Sequence, residues 1–371
     1  MDNCIKTKVN AVSKPVNVDM NEVVRLTRAG RLPEALAMLR TLSPFMARST
    51  SRQRAADQAT NPSSPFSGSS LVSQRRQSRE LGKGLFAEHK FANAAGSRKY
   101  KVYVPSIVVA QPMPLVIMLH GCTQCPDDFA AGTRMNQIAE RQQFIVAYPA
   151  QEQSTNPLKC WNWFKETDQQ RDLGEPSLIA GLTRQIMINY PVNPDRVYIA
   201  GLSAGGATAV IMGATYPDLY TAVGVHSGLA FGAAKDTASA LRAMKNGATP
   251  RASNKRDHRS RTNIPTIVFH GDQDSTVNPV NGDQVIGQAL PTATNLKCVI
   301  TSGNSIAGAA YTKTQYLGVA DISFFEHWLL HGVGHAWSGG SIVGSFTEQR
   351  GPDASSEMVR FFLQHGTPDS A

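Results

Sequence analysis

RVYIAGLSAGGATAVIMGATY, residues 196–216, decides how this chain is read. Arg196 to Ala200 is a short apolar run of strand length. Gly201-Leu202-Ser203-Ala204-Gly205-Gly206 follows at once and matches G-x-S-x-G. Residues 205–216 are then small or apolar, as a helix buried among other elements would be. Strand, sharp turn and helix in this order form a nucleophile elbow, which holds a serine on a strained turn. Side chains two residues on either side would clash with neighbouring backbone, so glycine stands there. The turn also opens a helix, whose first amides favour negative charge. Ser203 is therefore the candidate nucleophile, and Ala204 supplies one candidate oxyanion amide through its backbone N–H.

Strand-length apolar runs recur on both sides of this stretch. They are Tyr100–Val104, Pro114–Leu119, Phe144–Tyr148, Ala222–Val225, Ile264–Phe269 and Ile322–Leu330. Tyr100–Val104 alternates, as an early antiparallel strand does. The others are nearly continuous, as in strands buried on both faces of a mostly parallel sheet. Between them, Thr133–Arg141 and Ser177–Asn189 read as helices. The alternation predicts an α/β fold, a mostly parallel central sheet flanked by helices.

A serine needs a base, and a base needs an acid to orient it. In a sheet of this kind the expected order is Ser, then Asp or Glu, then His. His335 lies in Gly332-Val333-Gly334-His335-Ala336-Trp337, a glycine-flanked loop after the last strand candidate. His331 is its rival, and the flanking glycines favour His335 because they permit close approach. The candidate acids lie in His270-Gly271-Asp272-Gln273-Asp274, after the run 264–269. Spacing leaves Asp272 and Asp274 both open, since either could simply cap a turn. The second oxyanion amide should come from the loop after Pro114–Leu119, which reads His120-Gly121-Cys122. That makes Cys122 the candidate, through its N–H rather than its thiol.

The rest of the composition bounds the reading. The chain has 371 residues and a formal net charge of +9. Residues 1–80 hold 13 Lys/Arg against 6 Asp/Glu, so the remainder is nearly neutral. That argues against a nucleic-acid partner for the main domain. Residues 20–42 carry apolar positions at helical spacing, interrupted by Gly30 and Pro33, and read as a short helical segment. Residues 49–80 are rich in Ser, Arg and Gln and read as a solvated, disordered linker. We expect an N-terminal extension over 1–83 and one catalytic domain over 84–371. No run of about 18 apolar residues is present, so no membrane span is expected. The first residues carry no apolar core of signal-peptide length. By sequence the chain reads as cytoplasmic, or exported by another route. Five cysteines are too few for a disulfide scaffold. No His/Cys/Asp/Glu cluster has metal-ligand spacing, so neither metal nor cofactor is expected.

Residues from about 98 to 365 resemble the poly(3-hydroxybutyrate) depolymerase family of esterases, type 1 catalytic domain. The stretches that carry the resemblance are PLVIMLHGCTQCPDDFAAGTRMNQIAE, FIVAYPAQ, CWNWF, RDLGEPSLIAGL, RVYIAGLSAGGA, YPDLYTAVGVHSGL, FHGDQDSTVNP and GVGHAWSGG. The resemblance implies an α/β-hydrolase fold and cleavage of carboxylic esters. Its HG-x-x-D-x-x-V pattern falls on His270, Gly271, Asp274 and Val277, which favours Asp274. Its G-x-G-H-x-W pattern falls on Gly332, Gly334, His335 and Trp337. Related branches act on feruloyl and acetyl esters of plant polysaccharide, and members are often extracellular. No C-terminal polymer-binding domain is recognisable, so soluble oligomers or small esters are the expected substrates.

Trp161, Trp163 and Trp337 are candidate walls for the ester. Cys122 and Cys160 both sit in loops at the C-terminal ends of strands, and we expect a disulfide between them. A prolyl-type peptidase is a second reading of the same nucleophile. A third is a non-catalytic role in which the basic N-terminal segment binds an acidic surface.

Overall fold

The computed structural model describes residues 84–107, 111–248, 264–290 and 296–366. The expected N-terminal helical segment and linker lie outside them. A ten-stranded mixed sheet runs through the described residues. In chain order its strands are β1 (Leu85–Asn93), β2 (Gly96–Val104), β3 (Met113–Leu119), β4 (Ile145–Pro149), β5 (Val192–Leu202), β6 (Ala222–His226), β7 (Thr266–Gly271), β8 (Lys297–Asn304), β9 (Ala310–Leu317) and β10 (Ser323–Leu330). In space the order is β1-β2-β4-β3-β5-β6-β7-β10-β9-β8. The stretch from β4 to β10 is parallel throughout. Antiparallel pairs close both edges, β1 and β2 on one side, β9 and β8 on the other.

The continuous apolar runs have the cause expected of them. Leu115, Ile117 and Leu119 of β3 face one core, and Val116 and Met118 face the other. Val197 and Ile199 of β5 likewise oppose Tyr198, Ala200 and Leu202. The first core is closed by α3 (Gly174–Asn189), α4 (Ala204–Thr215) and α6 (Val280–Ala289). The second is closed by α1 (Pro126–Thr133), α2 (Met135–Gln142) and α7 (Ala354–Phe362). A further helix, α5 (Thr237–Asn246), starts on a capping box between Asp236 and Ser239. Helices on both faces of a parallel sheet match the predicted class.

A buried carboxylate breaks the apolar rule on β10. Glu326 on β10 is fully buried. Arg360 Nη2 of α7 donates to its carboxylate at 2.6 Å and Trp328 Nε1 at 3.0 Å, so the charge is paired and hydrogen-bonded. No described helix is long and apolar enough to cross a membrane.

Candidate active site

The parallel strands all end on one edge of the sheet, and loops at that edge of an open α/β sheet form its binding crevice. Ser203 stands between β5 and α4 with φ 57° and ψ −118°. A non-glycine residue with such a backbone is strained by about 1–3 kcal/mol. The surroundings hold it there: its N–H donates to His226 O at 2.8 Å. A Cβ on Gly201 would lie 2.3 Å from Gly205 C, and one on Gly205 would lie 2.1 Å from Leu119 O. Neither glycine can carry a side chain, so the turn stays tight and projects the serine.

Two aspartates follow β7, and each meets a histidine from the loop after β10. Asp274 Oδ2 lies 2.7 Å from His335 Nδ1. Its Oδ1 accepts from Thr276 N at 2.9 Å and Val277 N at 2.8 Å. Burial opposes ionisation here. The bonds from His270, His335 and Val277 N–H outweigh it and hold the carboxyl well below the usual carboxylate range. Asp272 Oδ2 lies 3.0 Å from His331 Nδ1, and its Oδ1 accepts from Gly332 N at 2.8 Å. The structure thus joins Asp274 to His335 and Asp272 to His331. Ser203 Oγ and His335 Nε2 are not hydrogen-bonded to one another or to any other described residue.

The loop after β3 is pinned from several sides. Gly121 N donates to Gln124 Oε1 at 2.9 Å, and Thr123 N donates to Leu158 O at 2.6 Å. Between them, Cys122 N–H has no acceptor among the described residues. Neither does Ala204 N–H, one of the four amides a helix start leaves unpaired. A disulfide joins Cys122 to Cys160. The segment carrying Cys160 is anchored in turn by buried Glu175 of α3. That carboxylate accepts from Asn162 N at 2.7 Å, Asn162 Nδ2 at 2.8 Å and Arg98 Nη2 at 3.3 Å, and from Gln151 Nε2. Burial, with Asp168 nearby, pushes the Glu175 carboxyl above its ordinary range. His120 is also fixed: Gln151 N donates to its Nε2 at 3.0 Å, so the proton sits on Nδ1, 2.7 Å from Gly121 O. Burial pushes this imidazole down to about 4, so it is neutral at pH 7.

A family model described as esterase PHB depolymerase matches residues 98–314, more than half of the chain. The chain belongs to this family. Ser203 and Asp274 lie inside the matched stretch and His335 beyond it. A poly(3-hydroxyalkanoate) depolymerase C of Paucimonas lemoignei is 34% identical over 205 residues, which cover 53% of this chain and 49% of that protein. A feruloyl esterase B of Neurospora crassa is 27% identical over 259 residues, 66% of this chain and 85% of that protein. The match with the depolymerase therefore spans about half of that protein's length. Among solved structures, an acetyl xylan esterase from Aspergillus awamori superposes with a TM-score of 0.57 at 18% identity. It covers 76% of this chain and 100% of that one, which shows the α/β-hydrolase fold shared by these esterases.

In this member of the PHB depolymerase family the three tryptophans require a correction. Trp161 and Trp337 are 0% and 1% exposed, and Trp163 is 6% exposed. Trp161 Nε1 donates to His120 O at 3.1 Å, and Trp337 Nε1 donates to Ser355 Oγ at 3.0 Å. Trp163 packs edge-on against Phe164. Their rings fill the core beneath the loops rather than wall an open cleft. Each indole is large enough to tie a loop to the sheet, and its N–H needs a buried partner.

His226 is the residue that the sequence reading assigned no role. Its carbonyl accepts from Ser203 N, its Nε2 accepts from Ser338 N at 3.0 Å, and its ring stacks on Trp337 and Phe269. One fully buried imidazole thus connects the serine turn to the loop that carries His335. Burial pushes it down to about 3, so it is neutral at pH 7. Its sequence signal was only its place at the end of a strand, Ala222–His226.

Proposed function

We propose that this chain hydrolyses carboxylic esters through an acyl-enzyme on Ser203. His335 takes the serine proton as Oγ attacks the ester carbonyl. Asp274 orients His335 and stabilises the imidazolium that forms. The N–H groups of Cys122 and Ala204 receive the charge that develops on the carbonyl oxygen. His335 then gives its proton to the leaving alcohol, and water repeats the attack on the acyl-enzyme. The observation that carries this reading is the pairing of a strained serine turn with a buried Asp274–His335 bond at the same sheet edge. The two free oxyanion amides are consistent with it.

The proposed substrate is a short-chain polyhydroxyalkanoate ester, 3-hydroxybutyrate polymer or oligomer, on the strength of the family and the Paucimonas lemoignei relative. A feruloyl or acetylxylan ester is the second reading. It is favoured by the longer share of the Neurospora crassa feruloyl esterase that the chain matches. Hydroxybutyrate oligomers, acetylated xylan, methyl ferulate and prolyl peptides offered side by side separate these readings by product analysis. The account expects release of 3-hydroxybutyrate to dominate. Turnover confined to ferulate, acetylxylan or peptide would overturn the substrate assignment and leave the Ser203 chemistry to be judged separately.

A further inference from the structure

Asp274 is held by two imidazoles, and only one of them belongs to the reaction just described. We propose that His270 is a positioning residue for Asp274, presenting its carboxylate to His335 from the other side, and that Gly282 provides the room for it. The proposal rests on the Ser203–His335–Asp274 reading.

His270 lies near the end of β7 and is fully buried. Its Nε2 stands 2.8 Å from Val277 O and 3.4 Å from Asp274 Oδ2. A carbonyl oxygen only accepts, so Nε2 carries the proton and shares it between the carbonyl and the carboxylate. Asp274 Oδ1 accepts from Thr276 N and Val277 N, and its Oδ2 faces His335 Nδ1 at 2.7 Å and the more distant His270 Nε2 at 3.4 Å. A carboxylate filled in this way has one orientation and one charge state. The far side of the ring is the opposite case. His270 Nδ1 is buried without a partner, and so is Nε2 of His327 on β10. Both face Gly282 of α6, where an added Cβ would stand 3.0 Å from the first and 3.1 Å from the second. His327 Nδ1 lies 3.4 Å from Asp283 Oδ1, so its proton belongs on that side. Two bare lone pairs therefore converge on a glycine in the first turn of α6.

Burying an acceptor with no donor is costly. A phenylalanine or leucine would fill the space of the His270 ring without that cost. Gly282 also carries a cost, since glycine loses more backbone freedom on folding than alanine does. What the imidazole adds over an apolar ring is its Nε2–H, aimed at Val277 O and Asp274. The glycine allows that ring to sit where the donor reaches. The structural alternative is that His270 only closes the 270–277 loop through Val277 O.

The test uses His270→Leu, His270→Gln, Gly282→Ala and Ser203→Ala in the full chain, with p-nitrophenyl butyrate as probe. Misplacing a reacting group by about 1 Å costs on the order of 100-fold. His270→Leu is expected to lower kcat by about 10- to 100-fold with KM held within about twofold. His270→Gln keeps a side-chain N–H and is expected to recover most of that loss. Gly282→Ala displaces the ring without removing a polar group, and is expected to lower kcat while leaving the melting temperature unchanged or raised. In each impaired variant the His335 Nδ1 proton, read by NMR, should move from its wild-type position. A His270→Leu protein with wild-type kcat beside an inactive Ser203→Ala protein overturns this proposal alone. So does equal loss in the Leu and Gln variants with an unmoved His335 proton. If His270→Leu fails to fold, wild-type kcat in Gly282→Ala overturns it. Full activity in Ser203→Ala overturns the site reading and this proposal with it.

Discussion

Asp274–His335 and Asp272–His331 are two versions of the same pair, built from the same two loops. Both bonds join an aspartate after β7 to a histidine after β10, at 2.7 and 3.0 Å. They differ in burial and in what the second imidazole nitrogen does. The Asp274 and His335 side chains are 0% and 12% exposed, against 30% and 38% for Asp272 and His331. His331 Nε2 lies 2.9 Å from Thr312 Oγ1, so a hydroxyl, an imidazole and a carboxylate stand in a hydrogen-bonded row there, whereas Ser203 Oγ makes no hydrogen bond to His335. Thr312, however, sits within β9 and is paired with Leu329 of β10 and Ser302 of β8. It has no strained turn, no helix start behind it and no free amide beside it. On the proposed reading, a hydroxyl–His–Asp row is not by itself a catalytic site, and the turn that projects Ser203 and the amides beside it make the difference.

The comparison breaks most easily at the histidines and aspartates. His335→Ala should lower kcat on p-nitrophenyl butyrate by several powers of ten. Asp274→Asn should lower it by about three to four powers of ten, since the wrong tautomer of the base is then favoured. His331→Ala and Asp272→Asn disrupt a partly exposed pair, worth about 0–1 kcal/mol, and should leave kcat within about threefold. Steady-state kinetics of the four variants decide it. Comparable losses in both pairs would remove the distinction.

A smaller effect is expected at the oxyanion loop. The Cys122–Cys160 bridge closes a sequence separation of 38 residues. Loop-closure entropy gives such a bridge about 4 kcal/mol of stability. Reduction should lower the denaturant midpoint accordingly, and should reduce kcat before it unfolds the chain, since Cys122 carries the proposed amide. Urea titrations with and without reductant, with activity followed in parallel, check both parts.

The last effect concerns protonation. His120 and His226 are pushed down by burial to about 4 and about 3, below the value of about 6.5 for an unfolded chain. The folded state therefore resists the protons that the unfolded state accepts. The stability these two residues contribute is complete above about pH 6.5 and is lost as pH falls toward their folded values. Their imidazole nitrogen shifts should stay those of neutral rings from pH 8 to pH 5 in the folded protein. Titration of either ring in that window would contradict the fixed tautomers described above.

Much of this was legible in the sequence, and the rest was hidden for physical reasons. The interior strands announced themselves because both faces are buried, so β3, the second half of β5 and β7 are nearly unbroken apolar runs. The edge strands β1 and β8, and β9 beside the latter, did not, because KCVITSGN and AYTKTQYL leave much of their surface incompletely buried and interleave polar residues. The glycines around Ser203 were readable because no other residue fits there. Asp272 and Asp274 were not separable by spacing, and both turn out to hold a histidine. The tryptophans misled because aromatic residues near a site suit a pocket wall and a core equally well. His226 was hidden because its contacts depend on a partner distant in sequence, Ser338.

The central claim is that Ser203 is acylated during turnover. Rapid acid quench of the protein mixed with p-nitrophenyl butyrate, followed by peptide mapping by mass spectrometry, tests it directly. The account predicts a butyryl adduct on the peptide carrying Ser203, formed in a burst and absent from Ser203→Ala. A turning-over protein with no adduct at Ser203, or with the adduct on Cys125 or Thr312 instead, would contradict it.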